Sequence, residues 1–246
     1  MKRLFVDKKI TDTMIITGQD AHHILKVLRY QIGQKLIIVD PDHHVAEAEI
    51  IEVEANSFKI KCMATLDADT EPPIEVTLAQ CLPKSDKLDF IVQKAVELGA
   101  VKVCPIVSEN CVVKYDNDKR VKRQQKWQKI AYEASKQCGR TVVPEVTMIT
   151  SLAEFLAGLD STALLIFCYE SEVERSIGSL LIGNAAQKII VLIGPEGGFT
   201  PAEAALCTDC GLQAVTLGPR ILRAETAALT ALSIIMYQNG DLGGRR

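Results

Sequence analysis

Two glycine-proline loops constrain this chain most: Ile193-Gly194-Pro195-Glu196-Gly197-Gly198-Phe199 and Leu217-Gly218-Pro219-Arg220-Ile221-Leu222-Arg223-Ala224-Glu225-Thr226. Each follows a short apolar run that reads as a buried strand, 189–193 and 214–217, and each precedes a helix-like stretch. Strand, backbone-rich loop and helix, twice over, is the local grammar of an open α/β sheet. Such a sheet builds its ligand crevice at the carboxyl ends of its strands. Thr200-Pro201-Ala202-Glu203 reads as a capping box with proline at the first helical position. Glycines admit close backbone approach to a ligand, and a helix start offers N–H groups. The first loop lacks the Lys-Ser/Thr of a Walker loop, and neither loop has the spacing of a dinucleotide fingerprint.

The same alternation extends back to Ile74. Strands are predicted at 74–80, 101–107, 163–167, 188–193 and 214–217, with amphipathic helices between them. The helix over 85–98 takes Ser85 as N-cap, buries Leu88, Ile91, Val92 and Ala95, and stops at Gly99. This order predicts a mostly parallel sheet with helices on both faces. Residues 1–70 read differently. Short alternating segments at 14–17, 35–39, 45–53 and 58–65, separated by turn residues, predict a small β-barrel or sandwich. One helix over 20–30 interrupts them, with Asp20 as N-cap and Ile24, Leu25 and Leu28 on one face. The polar stretch 67–73 ends in Pro72-Pro73, which places a boundary between domains at 1–70 and 74–246.

No apolar stretch reaches the ~18 residues of a membrane span. The start, Met1-Lys2-Arg3-Leu4-Phe5-Val6-Asp7, becomes charged too early for a signal peptide, so a cytoplasmic protein without a membrane partner is expected. Of the 8 cysteines, Cys207 and Cys210 have a metal-like spacing, but no second pair or nearby His completes a zinc set. No metal site is expected, and cysteines in apolar runs read as small buried hydrophobes. The net charge of −3 hides an uneven distribution. Between Lys114 and Arg140 stand 9 Lys/Arg against 3 acids. That stripe fits a solvated helix face or a localised anion-binding footprint.

The paired loops resemble the signature of the SPOUT methyltransferases, and the whole chain is similar to the 16S rRNA (uridine(1498)-N3)-methyltransferase family. His22-His23-Ile24-Leu25-Lys26-Val27-Leu28-Arg29 resembles that family's N-terminal His-His-…-Val-Leu-Arg motif. Lys84-Ser85-Asp86-Lys87 with Gln93-Lys94-Ala95-Val96-Glu97-Leu98-Gly99 matches its first α/β segment, and Glu133, Gln137, Arg140 and Pro144 match a later one. One departure is Ala224, where the family often carries Thr. The resemblance implies a PUA-like, RNA-binding β-barrel followed by an α/β domain with a trefoil knot around its parallel sheet. It further implies a homodimer, S-adenosyl-L-methionine as cofactor, and 16S rRNA of the small ribosomal subunit as partner. By match, the cofactor pocket is lined by Leu165 to Phe167, by Leu192, Ile193, Gly194, Pro195, Glu196, Gly197 and Gly198, and by Leu217, Gly218, Ile221, Leu222 and Arg223.

Methylation at uridine N3 requires that a proton leave the Watson–Crick edge, so the base must be unpaired. A cation that stabilises the developing uracil anion, or a proton acceptor, serves that step. Arg223 and Glu225 in the second loop are the candidates for these roles; the same two residues also fit an ion pair that only fixes the loop. RNA contacts are expected from His22, His23, Lys26 and Arg29 in the first domain and from Lys84, Lys122, Arg123 and Arg140 in the second. Two other readings remain open, and a third is set aside. One is a SPOUT enzyme with another RNA target, and another is a non-catalytic ribosome-assembly factor. The third, a phosphate-binding hydrolase, lacks the acid cluster or nucleophile its chemistry needs.

Overall fold

A computed structural model describes residues 1–68, 70–113 and 115–243. The chain divides into two compact units, Met1–Glu71 with Ser135–Val142, and Pro72–Ala134 with Val143 onward.

The first unit is a five-stranded sheet in the order β1-β3-β4-β5-β2, formed by β1 (Lys2–Phe5), β2 (Thr13–Ile16), β3 (Lys35–Val39), β4 (Val45–Val53) and β5 (Phe58–Leu66). β1 runs parallel to β3 and the other ladders are antiparallel. Register shifts at Glu47/Ala48 and Ile50/Glu52 let the long β4–β5 pair bend around the core. Leu4, Ile24, Leu36, Ile38, Ile50, Phe58 and Ile60 fill that core. The edge strand β1 carries two basic residues in four and does not stand out as a strand in the sequence.

The expected helix over 20–30 is shorter and differently built. α1 spans Gly18–His22 after Thr17, and a π-helical turn, His23–Val27, continues it. Asp20 is not the N-cap: its carboxylate accepts a hydrogen bond from Lys136 Nζ at 3.1 Å, which removes it from capping. The turn ends at Arg29, whose backbone is left-handed at φ 56°.

The second unit is a parallel sheet with the main path β12-β10-β11-β6-β7-β8. Its strands are β6 (Glu75–Cys81), β7 (Lys102–Val107), β8 (Glu145–Val146), β9 (Thr150–Ser151, paired with β7), β10 (Leu164–Cys168), β11 (Lys188–Ile193) and β12 (Gln213–Val215). The helices are α2 (Lys87–Glu97), α3 (Asn117–Cys138, whose residues from Ser135 on belong to the first unit), α4 (Leu152–Ala157), α5 (Ile177–Leu181), α6 (Pro201–Asp209) and α7 (Ala224–Gln238). The α/β class and the parallel sheet are those the sequence predicts.

α2 buries Leu88, Ile91, Val92, Ala95 and Val96, packs against α7, and ends at Leu98, with Gly99 at φ +90° as its stop. Its N-cap is Asp86 rather than Ser85. Ser85, one residue earlier, takes a left-handed backbone at φ 59°. The capping box at the start of α6 forms as the sequence predicts. Glu203 N–H donates to Thr200 Oγ1 at 3.2 Å, and Thr200 N–H to Glu203 Oε2 at 3.0 Å. Among the described residues no helix is long and apolar enough to cross a membrane.

Candidate active site

All ladders of the second sheet are parallel, so the loops after β12, β10, β11 and β6, neighbours in that order, emerge on one side. The site is built there.

The first glycine-proline loop is clamped from three directions. Gly194 lies against the Phe199 ring, where an added Cβ would come within 3.2 Å of Cε2, and Phe199 in turn packs edge-on against Phe167. Asn110 Nδ2 donates to the carbonyls of Gly197 at 3.0 Å and Gly198 at 3.1 Å. Gly198 has φ +67°, and any side chain there would run into the Glu170 carboxylate. The α6 start leaves fewer N–H groups open than expected. Pro201 has none, and the N–H groups of Glu203 and Ala204 are taken by Thr200 Oγ1 and Thr200 O.

Beneath the loop Gln80 is fully buried at the end of β6. Its Nε2 donates to Cys81 O at 3.0 Å, while its Oε1 has no partner. Cys111, next to Asn110, is buried and accepts a hydrogen bond from Ser108 N–H at 3.4 Å. A hydrogen bond from Cys81, against the effect of burial, lowers the Cys111 thiol while Cys81 is raised.

The second loop is open. Gly218 has φ +125°, and its N–H donates to Thr216 Oγ1 at 3.2 Å. Ile221 is 92% exposed, a conspicuous position for a large apolar side chain. Arg223 is exposed at the N-cap of α7, and its guanidinium has no hydrogen bond or ion pair among the described residues. Arg223 and Glu225 therefore do not pair with each other.

Glu225 instead faces Lys87. Lys87 Nζ donates to Glu196 Oε1 at 3.0 Å and lies 3.2 Å from Glu225 Oε2. The second contact has ion-pair distance without hydrogen-bond geometry, and Glu225 Oε2 is otherwise a buried oxygen without a donor. Lys84 contributes its backbone, its N–H donating to the Glu196 carboxylate at 3.1 and 3.2 Å. Burial works to raise the Glu196 carboxyl, but the bonds from Lys87 and Lys84 outweigh it and hold it below the ordinary range. The Lys87 ammonium is pushed up, first by Glu196 and then by Glu225. Sequence reasoning missed Lys87, although it closes the Lys84-Ser85-Asp86-Lys87 segment.

The remaining cofactor candidates fall where the loops begin. Leu165 and Phe167 lie on β10 beside Ile190 and Leu192 of β11, and Ile193 ends β11. Among the described residues no group of three or more His, Cys, Asp or Glu is placed to hold a metal ion.

The basic stripe divides into committed and uncommitted charges. Arg123 Nη1 donates to Asp86 Oδ1 at 2.6 Å, and Lys126 pairs with Asp89. Arg140, expected to contact RNA, is 3% exposed and bound to Glu71 through Nε at 2.9 Å and Nη2 at 2.6 Å, which leaves it no face for a phosphate. Lys122 is exposed and has no hydrogen bond or ion pair among the described residues. Lys114 lies outside the described residues. In the first unit His22, Lys26 and Arg29 are exposed and His23 half-buried.

The RNA methyltransferase domain profile matches residues 70–236, and the RNA methyltransferase PUA domain profile matches residues 16–61. The chain is 35% identical over 254 residues to the ribosomal RNA small subunit methyltransferase E of Bacillus subtilis, covering 99% of both chains.

The chain belongs to this RNA methyltransferase family.

Within the family, the Neisseria gonorrhoeae ribosomal RNA small subunit methyltransferase E, solved bound to S-adenosyl methionine, superposes with a TM-score of 0.85 at 31% identity, covering 95% of this chain and 96% of that one. A Legionella pneumophila methyltransferase, solved with the cofactor SAM, superposes with a TM-score of 0.86 at 28% identity, covering 96% of each. The PUA unit at the N-terminus and the SPOUT-type α/β unit expected from the sequence are those of the family.

Proposed function

We propose that this protein uses S-adenosylmethionine to methylate N3 of a specific uridine, 1498, in 16S rRNA of the small ribosomal subunit. The observation that carries the reading is the pair of glycine loops at the ends of β11 and β12, the two strands that flank β10, tied together through Lys87, with Arg223 exposed beside them. The site suits this cofactor. Gly198 and Gly218 have the left-handed backbone of a close-approach loop, and the Gln80 amide oxygen is buried without a partner. Carboxylates of Glu170, Glu196 and Glu225 stand around the loops and suit a cationic ligand. Residues 165–167, 192–198 and 217–223 would hold the cofactor, largely through backbone groups. When bound, it supplies an electrophilic methyl group.

The chain's own groups then handle the uracil. Arg223, with no internal partner, is available to stabilise negative charge at O2 or O4 as the N3 proton leaves. Glu225 is the proton acceptor in this reading. The PUA-like unit, residues 1–70, presents His22, His23, Lys26 and Arg29 to RNA, while Lys84 and Lys122 contribute from the catalytic domain, residues 74–246. Arg123 joins them only by leaving Asp86. The reading includes a homodimer and the trefoil knot of SPOUT domains.

Mapping methylated nucleotides in 16S rRNA from cells lacking the protein tests it. Loss of the N3 mark, restored by the wild-type gene and not by an Arg223→Ala copy, is the expected result. A missing mark elsewhere would redirect the target, and an unchanged map would leave an assembly factor.

A further inference from the structure

We propose that Lys87 is a positioning residue that clasps the two glycine-proline loops together, setting the separation at which they receive the cofactor. The inference rests on S-adenosylmethionine being the ligand of those loops.

Lys87 stands in the first turn of α2, and the next residues are locked: Leu88 is 2% exposed and Ile91 fully buried. Its side chain therefore starts from a fixed point. The ammonium reaches Glu196 in the middle of the first loop and Glu225 two residues past Arg223. One compact charge with three donors can serve two acids at once. An ordinary surface ion pair contributes little. This one differs because one carboxylate stands in the first loop and the other in the first turn of α7, and both face a single cation. Their side chains are 25% and 20% exposed, so screening by water is incomplete. Without the ammonium, Glu196 and Glu225 repel each other, and the first loop and the start of α7 move apart. Hydrogen bonding keeps Lys87 protonated, so it does not take the substrate proton.

The test is calorimetric titration of S-adenosylmethionine into the full-length wild type and the Lys87→Met, Lys87→Arg and Lys87→Met/Glu225→Gln variants, with thermal unfolding of each. Lys87→Met is expected to weaken binding about tenfold while Tm moves by no more than about 3 °C. Lys87→Arg keeps the charge but engages one carboxylate in its planar fork, and should recover part of the loss. Lys87→Met/Glu225→Gln removes the repulsion and should bind more tightly than Lys87→Met alone, a recovery that a merely structural lysine would not produce. Binding by Lys87→Met equal to wild type, or a double variant weaker than Lys87→Met, overturns the clasp and leaves the cofactor reading standing. A wild-type protein that does not bind S-adenosylmethionine overturns both.

Discussion

Two clusters, one in each unit, set a cation against carboxylate in opposite ways. In the first unit Glu71 accepts from Arg140 Nε and Nη2, from the N–H groups of Thr141 and Val142, and from the Thr141 hydroxyl. Arg140 is 3% exposed. In the second unit Lys87 spans Glu196 and Glu225, all three are partly exposed, and Glu225 Oε2 lacks a donor in hydrogen-bond geometry. A saturated cluster holds a fold together, whereas an under-satisfied one keeps capacity for a ligand. The contrast explains why Arg140 fails as an RNA contact while Glu225 remains a candidate for chemistry.

The largest effect should come from breaking the saturated cluster. Arg140→Met leaves the Glu71 charge without its cation and should cost about 3–5 kcal/mol, read by urea denaturation. A loss below about 1 kcal/mol would make the cluster an ordinary surface pair. Arg223→Ala should reverse that pattern. Turnover should fall by about 10²–10³, followed by transfer of a labelled methyl group to RNA at saturating substrates, with an unchanged unfolding midpoint. Near-normal turnover would remove Arg223 from the chemistry.

Acid should separate the clusters further. Burial works to raise the Glu71 carboxyl, but the Arg140 bonds prevail and its folded value lies below the ordinary 4.5. The unfolded chain therefore binds this proton more readily than the folded one. The stability Glu71 contributes is complete above the ordinary value and disappears as pH falls through the lowered folded value. Unfolding measured across that window should show a steeper acid loss in wild type than in Arg140→Met; parallel curves would contradict the pairing.

Smaller effects are expected at the edges of the second cluster. Asn110→Ala removes the donor to Gly197 and Gly198 and should weaken S-adenosylmethionine binding about fivefold, measured by calorimetry. Lys122→Ala should lower the salt dependence of RNA binding by about one in slope. Arg123→Ala should change it less, because Asp86 already neutralises that guanidinium. Equal slopes would show that Arg123 leaves Asp86 for a phosphate.

Features set by near neighbours in sequence were legible. The Thr200–Glu203 capping box, the α2 stripe and the central strands all emerge from local spacing. Features set by remote partners were not. Asp20 looks like a cap until Lys136 claims it, Arg140 looks like a surface cation until Glu71 buries it, and Lys87 has no local signal because its partners lie more than a hundred residues further along the chain. The two-residue strands β8 and β9 are too short for a periodic signal. Within the site, the glycines could be found from the sequence, whereas the contacts among them could not.

The bond between Lys87 and Glu196 joins positions 109 residues apart, and Glu225 stands farther along still. During synthesis, an N-terminal stretch through β6 and α2 emerges well before either acid exists to meet the lysine. A polypeptide stalled short of the second loop has no clasp and no assembled crevice, however well its first sheet has folded. The capacity to hold a methyl donor thus appears late in translation, and truncations near that point should separate a folded barrel from a competent enzyme.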